Sequence, residues 1–180
     1  GDYALMNAGI GGNCLLYDIP GLMGVSYGEK GVSRFERDVL RFSELCGVIL
    51  ALGVNDVAYY SQKTGAVISL EQYGSAVTDI VDRLHKAGAR VIAQTLPPRS
   101  GFVKKGYTPE MEALRVRINE WIRDSALFDY MVDADALLRD PKNPSFTDER
   151  YHQGDHLHPN QAGGMLLAQA YDLQKLTGEA

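Results

Sequence analysis

Long hydrophobic runs and concentrated positive charge are both scarce in this 180-residue sequence. No apolar stretch approaches the roughly 20 residues that a membrane-spanning helix needs, so we expect no membrane association. The formal net charge is −5, and lysine and arginine are interspersed rather than gathered into a basic stripe. Because such a stripe is what neutralises a phosphate backbone, we expect no nucleic-acid partner.

Cysteine is also scarce, since Cys14 and Cys46 are the only two. Two cysteines are too few for a disulfide framework, and neither belongs to a cluster with metal-ligand spacing. Both have apolar neighbours, which favours buried thiols over a bridge between them, and the sequence leaves that bridge open. No cofactor is predicted.

Apolar strand-like segments alternate with helical patterns along the whole chain, which predicts one domain over residues 1–180. Strands are predicted at residues 3–7, 47–52, 89–95 and 130–133. Helices are predicted after the capping residues Ser69 and Thr108, and from Pro159 onward. This order predicts an α/β fold, a three-layer α/β/α sandwich with a parallel sheet, in which ligands bind beyond the carboxyl ends of the strands.

The first candidate site segment is a glycine-rich turn, Asn-Ala-Gly-Ile-Gly-Gly-Asn, at residues 7–13. Such a turn lets backbone N–H groups approach a ligand closely, and it equally suits a tight bend. It lacks the Lys-Ser/Thr ending of a phosphate-binding loop and the pattern of a dinucleotide site. Taken alone, the segment favours the bend.

The second segment is Gly53-Val54-Asn55-Asp56, which follows the second predicted strand. An asparagine at the end of a buried strand can aim its amide N–H at a developing oxyanion. Asparagine and aspartate also bond their own backbone in Asx-turns, a common local role that we expect for Asp56. Asn55 is therefore a candidate site residue only in combination with the other two segments.

The third segment, at residues 155–160, is Asp-His-Leu-His-Pro-Asn and precedes the last predicted helix. A carboxylate at Asp155 can accept from one imidazole nitrogen of His158, which leaves the other nitrogen to act as a general base. His152 and His156 with these two residues offer a competing metal site. No cysteine, second carboxylate motif or helical histidine pair accompanies them, so we predict no bound metal.

In this order and spacing, the three segments resemble blocks two, three and five of the SGNH/GDSL hydrolases. The stretches at residues 34–40, 107–110 and 119–123 resemble one subgroup, which contains rumen-bacterial arylesterase-like or acylhydrolase-like proteins associated with plant polysaccharide breakdown. The resemblance covers Asn7 to about Leu173. It implies a flavodoxin-like SGNH hydrolase fold and a secreted or periplasmic location.

The resemblance also implies a role for particular residues. The Gly12 backbone N–H and the Asn55 side-chain amide become oxyanion donors. His158 becomes the general base, and Asp155 becomes the group that orients it. His156 is expected to shape the loop or the substrate entrance.

The nucleophile of the family is the serine of a Gly-Asp-Ser segment on the first strand, and these 180 residues contain no such segment. The Gly1-Asp2-Tyr3 start does not substitute for it, and Ser26 and Ser33 lack a nucleophile elbow. We therefore expect the first strand and its serine on polypeptide outside these 180 residues, either a preceding segment or a separate chain. Without that strand, apolar surface and a sheet edge would stay uncovered.

The resulting expectation is a serine ester hydrolase that removes acetyl or other short acyl groups through an acyl-enzyme. Its substrate would be a small-molecule or polysaccharide ester, from carbohydrate or aryl compounds. Two alternatives stay open. One is a catalytically inactive SGNH-like domain that binds a carbohydrate or a protein partner, and the other is a metal-dependent hydrolase that uses the histidine loop.

Overall fold

The computed structural model describes residues 3–19, 27–58, 68–102 and 107–178. In this part of the chain, three parallel strands form one sheet in the order β1-β2-β3. They are β1 (Gly47–Leu50), β2 (Arg90–Gln94) and β3 (Tyr130–Val132). Val48 pairs with Val91, and Ile92 pairs with Tyr130. Since the strands are parallel, their carboxyl ends all lie at one edge of the sheet, and three of the four predicted strands are confirmed.

Helices precede, connect and follow these strands. They are α1 (Gly31–Phe35), a π-helical turn (Glu36–Leu40), α2 (Leu70–Lys86), α3 (Pro109–Asp124), α4 (Ala134–Leu138), α5 (Gln161–Ala170) and α6 (Leu173–Thr177). A further helical turn covers residues 54–58. Among the residues described, no helix has the length and apolar character to cross a membrane.

The two long helices begin at the residues that the sequence predicts. On α2, the Ser69 hydroxyl accepts from the Gln72 backbone N–H, and the Gln72 side chain accepts from the Ser69 backbone N–H. Thr108 caps α3, with Pro109 in its first turn. One apolar face of α2 is buried, and it consists of Tyr73, Val77, Ile80, Val81 and Leu84. On α3 the buried members are Met111, Leu114, Ile118 and Ile122.

Strand β2 is covered on both faces. Val91 and Ala93 belong to a large apolar cluster with residues of α2 and α3. Ile92 points the other way and packs with Val132 of β3 and Leu176 of α6. Since alternate residues of a strand face opposite sides of the sheet, helices cover both faces, which confirms the three-layer α/β/α prediction.

The predicted strand at residues 3–7 is wrong, because that segment forms no regular structure here. Tyr3, Leu5 and Met6 are 51%, 86% and 61% exposed. An apolar pattern indicates a strand, but a strand forms only where the edge of a neighbouring strand is available for pairing. Residues 3–7 pair with none of the described strands.

The closing helix, predicted as one element from Pro159, is two helices. The carboxylate of Asp172 accepts the backbone N–H groups of Gln174 and Lys175 and starts α6 as a separate helix. This side-chain cap competes with continuation of α5. Leu173, the first residue of α6, is 64% exposed.

Both cysteines are free thiols, as the sequence favours. Cys14 is buried, and burial together with the nearby Asp56 carboxylate raises the pKa of its thiol to about 12. Cys46 is only partly buried, so the prediction of two buried thiols holds for Cys14 alone. A thiol with a pKa so far above neutrality is unreactive, because the thiolate is the nucleophilic form.

Candidate active site

The glycine-rich turn brings its backbone very close to an aromatic ring. Gly12 has a φ of +78°, and a Cβ atom at this position would lie 2.2 Å from the Tyr27 ring. Only glycine adopts this conformation readily and leaves room for the ring. The Asn13 backbone N–H donates to the Ile10 carbonyl at 3.1 Å and closes the turn. The segment is therefore a tight bend whose backbone is held in one conformation.

Asn13 and Arg34 hold this turn from inside the protein. The Asn13 amide nitrogen donates to the carbonyls of Tyr27 and Glu29 at 2.6 and 2.8 Å. Its oxygen accepts from two nitrogens of the Arg34 guanidinium, at 3.2 and 3.0 Å, and Arg34 also donates to the Ala8 carbonyl at 2.7 Å. Asn13 and Arg34 are both buried. The sequence segment contains Asn13 but gives no sign of this anchoring role.

Asp56 joins the segment after β1 to the segment after the glycine turn. Its two carboxylate oxygens accept from the backbone N–H groups of Leu15 and Leu16 at 2.7 and 2.8 Å. Asp56 therefore differs from the local Asx-turn role predicted for it. The reason is that the backbone donors of Leu15 and Leu16 lie beside it and need an acceptor away from water.

The buried Asp56 carboxyl predicts a pH-dependent stability. Burial raises its pKa from 3.8 to about 6, although the backbone donors of Leu15 and Leu16 act in the opposite direction. The folded state therefore binds this proton more tightly than the unfolded state does, and stability falls as the pH rises from about 4 to about 6. Relative to Asp56→Asn, the free energy of unfolding should fall by on the order of 2–3 kcal/mol between pH 4 and pH 7. Urea denaturation at both pH values measures this change, and an unchanged difference between the two proteins would contradict it.

The Asn55 side chain lies against the glycine turn. Its amide nitrogen donates to the Asn13 carbonyl at 3.0 Å, next in the chain to Gly12. The amide oxygen faces the guanidinium of Arg99 at 3.5 Å. Asn55 lies in the helical turn that follows Gly53, whose φ of +129° turns the chain away from β1. The structure therefore places Asn55 beside the turn that carries Gly12.

The Asp155–His158 pair forms as predicted. The Nδ1 atom of His158 lies 2.5 Å from one oxygen of Asp155, and the other oxygen accepts from the backbone N–H groups of Leu157 and His158 at 3.0 and 2.9 Å. Burial alone would raise the pKa of Asp155, but these hydrogen bonds lower it to about 2. An ionised carboxylate requires a donor at Nδ1, so Nε2 is left as the basic nitrogen. The His158 side chain is 61% exposed.

The other two histidines of this loop have structural contacts. The Nδ1 atom of His152 accepts from the backbone N–H groups of Gly154 and His156 at 2.9 and 3.2 Å, which places its proton on Nε2. The rings of His152 and His156 lie 4.2 Å apart, and His156 has a φ of 60°. Within the described ranges, no group of three or more His, Cys, Asp or Glu side chains is placed to hold a metal ion.

The loop after β2 connects Asn55 to His158. The guanidinium of Arg99 lies 5.1 Å from the centre of the Phe102 ring, and it also contacts the Asn55 oxygen. The Phe102 ring meets the His158 ring edge-to-face at 5.9 Å. The structure thus brings the second and third predicted segments to one place, and the glycine turn lies against Asn55. Sequence reasoning missed Arg99 and Phe102, although their position after a strand was an available signal.

The two serines considered as substitute nucleophiles lie elsewhere. Ser33 is part of the short helix α1. Ser26 lies outside the described residues. Neither is assigned to the site.

The sequence matches a known family over most of its length. The model of the GDSL-like lipase/acylhydrolase family matches residues 1–165. This chain belongs to that family. A search of curated proteins finds no match to the chain.

Solved structures with the same fold include three hydrolases. A GDSL-like lipase from Bacteroides thetaiotaomicron is 19% identical with a TM-score of 0.57, and the match covers 77% of this chain and 66% of that one. A catalytic mutant of an acetylxylan esterase from Geobacillus stearothermophilus is 22% identical with a TM-score of 0.57, covering 81% and 65%. LAE5, an alpha/beta hydrolase from the metagenome of Lake Arreo, Spain, is 18% identical with a TM-score of 0.57, covering 82% and 66%. The GDSL-like chain therefore spans slightly less than two thirds of each.

Substitutions of two adjacent glycines in α5 can test how closely this helix packs, in the GDSL-like chain, against the loop that carries His152, His156 and His158. A Cβ atom at Gly163 would lie 2.4 Å from the Tyr151 carbonyl oxygen, whereas Gly164 faces open space. We expect Gly163→Ala to lower the free energy of unfolding by about 1–3 kcal/mol, because α5 must move away from the loop that carries His158. Gly164→Ala should be neutral or stabilising by up to ~1 kcal/mol. Thermal unfolding compares the two, and equal effects would contradict the close contact at Tyr151.

Proposed function

We propose that this chain supplies the acid–base pair and the oxyanion donors of a serine ester hydrolase. The observation that carries the proposal is the bond between His158 and Asp155, 2.5 Å long, in a loop that contacts the Asn55 region through Arg99 and Phe102. A general base needs a fixed tautomer and a free second nitrogen, and this pair provides both.

Each residue then has a defined step. His158 Nε2 removes the proton from a serine hydroxyl as the serine oxygen attacks the ester carbonyl. The oxyanion that develops accepts from the Gly12 backbone N–H and from the second N–H of the Asn55 amide. His158 returns the proton to the leaving alcohol, and water releases the acyl group in the reverse sequence. Asp155 keeps Nδ1 protonated and stabilises the imidazolium throughout.

The attacking serine is proposed to lie on a parallel strand that pairs with the outer edge of β1. The apolar residues of β1 are all only partly buried, whereas Val91, Ile92 and Ala93 of β2 are buried. Within the described residues, β2 is the one strand that pairs with β1. The carboxyl end of a parallel strand added there would lie at the same end of the sheet as Asn55, because the carboxyl ends of parallel strands lie together. That strand would belong to a preceding segment of the same protein or to a separate chain.

Short acyl esters of carbohydrates are the proposed substrates, and aryl acetates should serve as model substrates. The support is the membership of the GDSL-like family and the fold shared with the acetylxylan esterase of Geobacillus stearothermophilus. In that esterase, a serine-to-alanine variant and an aspartate-to-alanine variant are both catalytic mutants. A polysaccharide ester is preferred over a long-chain lipid on the subgroup resemblance at residues 34–40, 107–110 and 119–123.

Serine-directed labelling tests the proposal. The protein expressed from its complete coding sequence should react with a fluorophosphonate probe, lose esterase activity on labelling, and carry the probe on one serine peptide identified by mass spectrometry. It should also release acetate from acetylated xylo-oligosaccharides and hydrolyse an aryl acetate. Absence of both labelling and hydrolysis would indicate an inactive binding domain. Activity that is lost on chelation and insensitive to the probe would indicate a metal-dependent hydrolase.

A further inference from the structure

The side-chain amide of Asn55 can adopt two orientations that differ by a half-turn. Only one of them presents an N–H to an oxyanion, because the amide oxygen donates nothing. In the observed orientation the nitrogen donates to the Asn13 carbonyl at 3.0 Å, and the oxygen faces Arg99 Nη1 at 3.5 Å. A half-turn would place oxygen against the carbonyl and nitrogen against the guanidinium, and both contacts would be repulsive. The Asn13 carbonyl takes one of the two amide hydrogens, so the second is left for a ligand.

Burial and neighbouring contacts fix the position of the Arg99 side chain beside the Asn55 amide. Its side chain is buried, with 3% of the residue exposed, and it stacks on the Phe102 ring at 5.1 Å. The start of its loop is fixed by Asn119 of α3, which accepts from the Leu96 backbone N–H at 2.7 Å and donates to the Leu96 carbonyl at 2.8 Å. Arg115 donates to the same carbonyl at 2.8 Å. Every backbone hydrogen-bonding group of Leu96 is therefore occupied, and the loop has little freedom to shift.

Phe102 connects Arg99 to His158. Its ring lies between the Arg99 guanidinium and the edge-to-face His158 ring, which is 5.9 Å away. His158 is otherwise exposed and is tied mainly to Asp155 on its own loop. The Arg99–Phe102 stack thus relates the imidazole to the segment carrying Asn55.

We infer that Arg99 is a positioning residue, which fixes the Asn55 amide with its second N–H towards the oxyanion and, through Phe102, sets the His158 ring against it. The inference rests on the proposed function. Arg99 does not touch the reacting atoms in this account. Its permanent charge acts at 3.5 Å in a buried place, where an interaction between a charge and an amide dipole is stronger than in water.

A double-mutant cycle between Arg99 and Asn55 tests the inference in the protein made from its complete coding sequence. We expect Arg99→Met to lower kcat for an aryl acetate by about 10- to 100-fold with little change in KM. In the Asn55→Ala background the same change should cost only about 2- to 3-fold, because the amide that Arg99 orients is gone and only the smaller effect on the His158 ring through Phe102 is left. Arg99→Lys keeps the charge and should recover part of the loss. Arg117→Met, on the exposed side of α3, is the matched control and should change nothing.

An equal loss from Arg99→Met in both backgrounds, or no loss in either, would overturn the inference. A second readout needs no esterase activity, which separates this inference from the proposed function. In the unsubstituted protein the Asn55 side-chain amide should give a high NMR order parameter. In folded Arg99→Met the order parameter should drop clearly, and in folded Arg99→Lys it should drop less. An unchanged order parameter in both variants would show that Arg99 does not orient this amide, whether or not the protein hydrolyses esters.

Discussion

Replacing His158 with alanine should lower turnover by on the order of 10⁴ or more in the complete protein, the usual cost of removing the base of a catalytic triad. The expected cause is chemical, since the side chain is 61% exposed and its loss leaves no large cavity. Turnover of an aryl acetate by purified wild-type and variant proteins measures the effect. A thermal melt of the same samples should show nearly unchanged stability.

Two neighbouring changes serve as comparisons for His158→Ala. Asp155→Asn should be milder, because it removes the orienting carboxylate and leaves the imidazole in place. His156→Ala should keep most of the activity, because the ring of His156 packs against Phe146 and His152 and has no proposed chemical step. Equal tolerance of substitution at positions 155 and 158 would mean that the base lies elsewhere.

Replacing Asn55 with alanine should lower kcat by ~10²–10³, the usual scale for one oxyanion donor, with a smaller effect on KM. The amide is proposed to bind the oxyanion more strongly than the ground-state carbonyl, so the loss should be in the transition state. Initial-rate kinetics over a range of aryl acetate concentrations separate the two parameters. Loss of the 3.0 Å bond to the Asn13 carbonyl is a second consequence, which thermal unfolding measures independently.

Asn143→Ala is the matched control for Asn55→Ala, because Asn143 is an exposed asparagine in the loop after α4. Its replacement should leave turnover unchanged. If Asn55→Ala also leaves turnover unchanged, Asn55 is not an oxyanion donor, and the role would have to move to another group beside the glycine turn.

The elements that were predicted correctly are those with local signals. The capping box of Ser69 and Gln72, and Thr108 followed by Pro109, fix the starts of α2 and α3 through contacts within a few residues. The Asp155–His158 bond is also local, since it joins residues three apart in one turn. Such short-range geometry depends little on the rest of the fold, so sequence spacing is sufficient to predict it.

The features that sequence reasoning missed depend on residues far apart in the chain. Asp56 bonds Leu15 and Leu16 some 40 positions away, and Arg99 reaches Asn55 across 44 positions. Nothing near these residues in sequence indicates their partners. The incorrect strand at residues 3–7 has the same origin, because pairing between distant strands decides whether an apolar segment becomes a strand.

A crystal structure of the complete protein after reaction with a fluorophosphonate would test the central claim most directly. The adduct should sit on a serine of a strand paired with β1, and its phosphoryl oxygen should accept from the Gly12 N–H and the Asn55 Nδ2 atom at about 2.7–3.1 Å. His158 Nε2 should lie within about 3.2 Å of the serine oxygen. An adduct whose phosphoryl oxygen contacts neither donor, or whose serine lies out of reach of His158, would contradict the account.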